Sequence, residues 1–207
     1  MINREIIRIK IVQLTYAYYQ NGNKNIDSAE KELIFSLSKA YDLYNYLFAL
    51  MVAVAKEAKR RLEILEAKAL REGLPKPSTR FAYNRFTLQL EENRQLSDFI
   101  SNQKHTWADE PEFVGKLFDQ IEQSQIYKDY MADPTDDYAT DRELWRKLYR
   151  TLIQENDDLD ALLEEQSLYW NDDKEIVDTF VLKTIKRFEE QNGPRQELLP
   201  EYDSEEE

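Results

Sequence analysis

Arginines 4 and 8 are the residues of this chain best placed to do chemistry. They stand one helical turn apart near the start of an apolar segment. Two guanidiniums at a helix N-terminus, beside unpaired backbone N–H groups and the positive end of the helix dipole, make a site for phosphate. Lys10 is close in sequence but roughly 120–160° away around the wheel at 100° per residue, where its stem can snorkel along apolar surface. The rival reading of Arg4 and Arg8 is an ordinary salt bridge to an acidic neighbour. A second basic stretch, residues 56–85, carries nine basic and four acidic groups. It reads first as the solvated face of a long helix.

Other reactive residue types lead nowhere. The only histidine, His105, sits in Asn102-Gln103-Lys104-His105-Thr106. It lacks the Glu three residues earlier that a di-iron bundle motif requires, so a surface role is expected. The acidic group Asp133, Asp136, Asp137 and Asp141 lacks EF-hand alternation and its sixth-position glycine, and Pro134 interrupts it. A solvated loop is expected there rather than a calcium site. No cysteine is present, which removes disulfides and thiolate chemistry. Phosphate-loop, dinucleotide and serine-elbow motifs are absent. No catalytic residue, metal or cofactor is expected.

The elements that must position these residues are helical. Residues 3–20 form a first helix ending at Gly22. Apolar residues surround it from Ile6 onward, leaving Arg4, Arg8 and Thr15 as a polar stripe about 40° wide. Such a helix is expected to be a buried central strut. A second helix opens at the capping box Asp27-x-x-Glu30 and runs to Glu72, before Gly73 and Pro75. Its seam at 3,4 spacing is Leu37, Tyr41, Tyr44, Phe48, Met51, Ala55, Ala58, Leu62, Leu65 and Ala69, a heptad signal for a partner helix. That partner is either within the chain or a second copy. After a Pro-containing linker at 74–78, helices are expected over 86–101, 112–130, 140–154, 159–166 and from 172 to just before Gly193. Two further boxes, Thr140-x-x-Glu143 and Asp172-x-x-Glu175, open two of them. The fold class is all-α, a helical bundle over residues 1–193, with 194–207 an acidic, disordered tail.

Charge is polarised. The 207 residues carry a net −13, which alone argues against nucleic acid. Residues 1–85, however, hold 15 basic and 9 acidic groups, while 86–207 hold 13 and 32. An asymmetry of this kind suggests partner or nucleic-acid binding through the basic part. The longest apolar run, residues 47–55, is too short for a bilayer, and no signal peptide is evident. A soluble, cytoplasmic protein without a membrane partner is expected.

Asn3-Arg4-x-x-x-Arg8 followed by Val12-Gln13-Leu14-x-Tyr16 resembles the start of the bacterial transcription antitermination factor family NusB. The stretch 26–192 looks like a lengthened branch with a helical insertion, through segments such as Ala29-Glu30-Lys31-Glu32-Leu33, Asn84-Arg85-Phe86, Tyr169-Trp170-Asn171-Asp172 and Lys186-Arg187-Phe188-Glu189. The resemblance implies an all-helical RNA-binding protein without enzymatic activity. It would act with NusE, a ribosomal protein of transcription complexes, on boxA-type RNA. Arg4 and Arg8 fall at arginine positions of the RNA-binding motif, with Asn3 beside them. Val12, Gln13, Leu14 and Tyr16 fall at packing positions. The candidate RNA-binding set is therefore Asn3, Arg4, Arg8 and Lys10. Glu5 departs from the family, standing where another basic residue is usual; a carboxylate near phosphate lowers affinity. The family's second helical half, with its Asn-Glu pair and closing Phe-Val-Asn-Gly signature, is not found, so the chain resembles an N-terminal portion. Apolar surface on the first helix is then expected to stay exposed and to favour self-association. The competing expectation is a helical scaffold that associates through the 37–69 seam.

Overall fold

The second helix organises everything else. The computed structural model describes residues 1–22 and 25–201. In it α2 (Ile26–Glu72) runs unbroken for 47 residues, on the order of 70 Å at 1.5 Å per residue. It contains no glycine or proline, and Gly73, in the left-handed region at φ 66°, ends it by donating its N–H to the Ala69 carbonyl. Packed along α2 are α1 (Arg4–Asn21), α3 (Arg85–Glu92), α4 (Arg94–Ser101), α5 (Pro111–Gln123) and α9 (Trp170–Arg187). The intervening α6 (Gln125–Ala132), α7 (Tyr138–Leu148) and α8 (Asp157–Gln166) close the outer layer. The architecture is all-α, and no β-strand occurs among the described residues. Nor, among them, is any helix long and apolar enough to cross a membrane.

The heptad seam is used inside the chain. Leu37, Tyr44, Phe48, Met51, Ala55, Ala58, Leu62 and Ala69 are all buried, and only Leu65, half exposed, faces outward. The Tyr44 hydroxyl meets Thr184 of α9 at 2.7 Å, and Phe48 stacks on Phe188 just beyond it. Each large side chain so buried contributes roughly 1.5–3 kcal/mol. The expectation of a scaffold that associates through this seam is corrected accordingly: the partner helices are its own.

Asparagine and serine side chains move several expected boundaries. The helix expected over 86–101 is two helices, because Asn93 takes extended angles and caps α4 through the Leu96 N–H. Its amide also donates to the Gln196 carbonyl at 2.7 Å. Ser124 divides the expected 112–130 helix in the same way, accepting from the Tyr127 N–H. The three sequence capping boxes are not used as such. Asn25 caps α2 and Asp137 caps α7, each a few residues early, while α9 starts at Trp170 without a side-chain cap. The reciprocal box that does form is Thr106–Asp109. A π turn, Tyr149–Ile153, extends α7.

Two larger corrections concern the chain's ends. The first helix is no central strut. Within α1 only Ile6 and Lys10 are buried, and its outer side faces solvent. Being apolar all round did not bring neighbours to every side. Residues 194–201 are not a disordered tail either. They lie back over α2, α3 and α4, with Leu198 buried. The Leu199 N–H donates to the Tyr44 hydroxyl, and the Leu199 carbonyl accepts from Tyr41 and Gln95. Ile2 N–H then donates to the Glu201 carbonyl at 2.8 Å, and the N-terminal ammonium to the Pro200 carbonyl. Hydrogen bonds to three tyrosine and glutamine side chains outweigh an acidic composition. The acidic residues 203–207 lie outside the described residues.

Docking of this segment should register in stability. Leu198→Ala is expected to cost about 2–5 kcal/mol, as for other buried leucines, measured by urea unfolding. Wild-type stability in that variant would mean that residues 194–201 do not pack.

Candidate nucleic-acid interface

Asn3 builds the start of α1. Held at φ −132° and ψ 177°, it accepts the N–H groups of Glu5 and Ile6 on its Oδ1 at 3.0 and 3.1 Å. It thus acts as the N-cap, holding the first turn on which Arg4 stands. Arg4 and Arg8 are both exposed and one turn apart on that turn and the next. Thr15, two turns further along the same stripe, returns its hydroxyl to the Ile11 carbonyl. At the far end Gly22, at φ 64°, donates its N–H to the carbonyls of Tyr18 and Tyr19 and stops the helix. The outcome is a basic edge at the positive end of a helix dipole, with Glu5 the acidic residue in the same turn.

Lys10 does not join that edge. Its side chain is buried and its ammonium is paired with Asp173 of α9, itself buried. An ammonium with its charge satisfied inside the protein cannot also meet a phosphate, so Lys10 is corrected to a structural residue that ties α1 to the bundle. Its carboxylate partner is imperfectly served: Asp173 Oδ2 has no hydrogen-bond partner. Burial accordingly raises the Asp173 carboxyl above the ordinary range, against the lowering influence of Lys10. One turn on, Lys174 bonds Asp178 at 3.0 Å, and the Tyr149 hydroxyl donates to the same carboxylate. Here too burial is the main cause of a raised carboxyl.

The second basic stretch is largely neutralised in place. Arg61 reaches Glu57 on its own helix and Asp119 on α5, both by short bonds, and also donates to the Gly115 carbonyl. Lys59 pairs with Glu91, and Arg85 with Asp136. Arg80 donates to the carbonyls of Asp133 and Thr135 while lying over the Tyr130 ring. Arg60, the first cause, and Arg61 pull the Glu57 carboxyl down to about 2. Lys56 and Lys68 are exposed and form no ion pair among the described residues. The basic half is therefore cross-linked to the acidic half rather than presented whole to solvent.

Remaining sequence candidates have structural tasks. Asp133 and Asp137 accept backbone N–H groups within their own turns, and Asp141 is buried, accepting from the Arg85 N–H and the Tyr130 hydroxyl. Among the described residues there is no cluster of acidic or histidine side chains arranged to hold a metal. His105 lies between Asp109 and Glu110, at 3.5 and 3.1 Å. Behind it a largely apolar cavity of about 350 Å³ is lined by Ala49, Val52, Phe99, Ile100 and Val114, among others.

Of the two expectations for the first helix, burial as a strut and exposed apolar surface, the outer face of α1 meets the second. Val12, Tyr16 and Tyr19 are exposed by 68, 64 and 86%. Beside them a groove of about 600 Å³ runs between α1 and α2, lined by Ile11, Leu14, Tyr18, Ile26 and Leu33. The groove itself had no signal in the sequence, since it depends on how α1 lies against α2. Val12, Gln13 and Tyr16, which the resemblance placed at packing positions, face outward; Leu14 alone of that set is half-buried. Comparison with protein-family models, with curated proteins and with solved structures found no match.

The buried pair generates a test. Lys10→Met leaves Asp173 buried without a counter-ion and is expected to cost about 3–5 kcal/mol, whereas Lys10→Met/Asp173→Leu should recover most or all of it. The single variant should regain stability on mild acidification. A carboxyl whose folded pKa is raised is penalised above that pKa, and the penalty fades as pH falls through it. Urea midpoints across pH measure both effects; a double variant as unstable as the single one would contradict the pairing.

Proposed function

We propose that this chain is a non-catalytic RNA-binding factor of the antitermination type. It acts in the cytoplasm on a boxA-like transcript together with NusE, and Arg4 and Arg8 contact phosphate. One observation carries the reading. Two arginines, spaced as in the NusB motif they resemble, stand exposed at the capped N-terminal end of α1, where helix dipole and guanidinium charge act together. Asn3 contributes by holding the turn, not by touching RNA. Internal neutralisation of the 56–85 stretch supports the choice of α1 over α2 as the binding face. With a net −13 on the chain, affinity is local and electrostatic, so it falls steeply with salt.

The test titrates a boxA-like single strand with wild type and with Arg4→Ala/Arg8→Ala, with and without NusE, over a range of salt. Removing one phosphate-binding cation lowers the log–log salt slope by about 0.7 for single strands, so a decrease near ~1.4 is expected for the pair. A Lys68→Ala control should leave the slope unchanged. Equal affinity and equal slope in wild type and double variant would overturn the assignment.

A further inference from the structure

The returning C-terminal segment ends its described course beside the start of α1. The N-terminal ammonium donates to the Pro200 carbonyl, and the next N–H, that of Ile2, to the next carbonyl, that of Glu201. The two contacts advance together, so residues 200–201 run alongside residues 1–2 in the same direction. Asn3, in extended backbone, carries that direction up to Arg4. The charges at this place are Arg4, Arg8 and the N-terminal ammonium against Glu5 and Glu201, a net +1 to which the helix dipole adds. Next in the chain come Tyr202-Asp203-Ser204-Glu205-Glu206-Glu207, with four carboxylates. Other cations lie further back along the returning segment. Arg195 belongs to it, Arg94 adjoins the Asn93 amide that meets the Gln196 carbonyl, and Lys183 and Arg187 flank Thr184, which shares the Tyr44 hydroxyl with Leu199. Lys10 is buried against Asp173.

We infer that residues 203–207 fold over the start of α1, Asp203 opposite Arg4 and Glu205 opposite Arg8, and occupy the phosphate site until RNA displaces them. As regulation of that site the inference rests on the RNA-binding reading; the contact itself does not. Spacing assigns the pairs. Alternate residues of an extended segment share a side and lie ~6.6–6.8 Å apart, and Arg4 and Arg8 are ~6 Å apart along the helix at 1.5 Å per residue. With Glu201 level with Ile2, Asp203 arrives level with Arg4 and Glu205 one helical turn further on. Glu5 lies about 100° around the wheel from Arg4 and about 60° from Arg8, outside the stripe that the two arginines share. A single exposed ion pair is weak. A tethered segment, however, acts at an effective concentration in the millimolar range, enough to occupy a site that binds it with millimolar affinity. RNA, with a phosphate at every nucleotide, displaces it.

The contact is tested without RNA, by the amide NMR signals of residues 203–207 in the full chain, with the free peptide of residues 202–207 as reference. At low salt the wild-type signals should stand apart from those of the peptide. They should move onto them at high salt, and also in Arg4→Gln/Arg8→Gln, whose substitutions are at exposed positions. They should stay in place in Arg94→Gln/Arg195→Gln and in Lys183→Gln/Arg187→Gln. Wild-type signals that coincide with the peptide, or that respond to either of the last two variants instead, would overturn the contact. Regulation is tested by titrating a boxA-like single strand. Asp203→Asn/Glu205→Gln/Glu207→Gln should bind it about three- to tenfold more tightly than wild type at low salt, as release of a tethered competitor predicts. Glu155→Gln/Glu164→Gln/Glu165→Gln removes the same charge from exposed positions elsewhere and should change affinity little. Equal gains in both variants would reduce the effect to net charge and overturn the regulation. No RNA binding by any chain, with the tail signals still displaced at low salt, would overturn the RNA reading and its regulation while upholding the contact.

Discussion

The molecule depends on the burial of one side of α2 along most of its length. Its seam residues meet α9 through Tyr44 and Phe48 and fill the space shared with α3, α4 and α5. A 47-residue helix in water is held less by propensity than by such packing. Every other helix therefore takes its place from where it can cover α2. The helix also sets the position of the candidate interface. α1 joins α2 by a short hairpin and leans on only part of it, so the outer side of α1 is left to solvent.

Charge follows the same logic of pairing within the chain. A chain with a basic first part and a strongly acidic second part folds so that the two meet. Arg61, Lys59, Arg85 and Lys10 each pair with a carboxylate from beyond residue 85. Most of these pairs are partly exposed and contribute little individually. The Lys10–Asp173 pair is different, because neither charge has solvent to fall back on. It fixes the rotation of α1 about its own axis. With Lys10 held inward, Arg4 and Arg8 are necessarily turned outward, since they lie a third of a turn or more away around the helix.

Both ends of the described chain meet at the same place. Met1 and Ile2 are buried and bonded to the carbonyls of Pro200 and Glu201. The base of α1 is thus anchored on one side by the returning C-terminal segment and further along by Lys10. Its distal turns carry the exposed Tyr16 and Tyr19. A helix anchored at its basic end and uncovered along its flank is suited to recognition by that flank and end.

Much of the architecture was legible without coordinates. The all-α class, the length of α2 and its stop at Gly73 follow from periodicity and from a helix-breaking glycine, both local properties of the chain. The exposed pair Arg4 and Arg8 was legible for the same reason: a spacing of four residues fixes a shared face whatever lies around it. What tertiary structure alone decided was which surfaces are covered. Heptad spacing announces that the α2 seam has a partner but not that the partner is in the same chain. Nor does an apolar helix state how many neighbours will come to it. Asn93 and Ser124 end helices that periodicity would continue, because their side chains reach backbone groups in the folded chain. Lys10 has the sequence context of a surface cation, and only folding brings Asp173, far along the chain, beside it. Residue type and spacing set the chemistry that each helix can offer. Long-range packing, which depends on all the helices at once, determined which of those offers reach solvent.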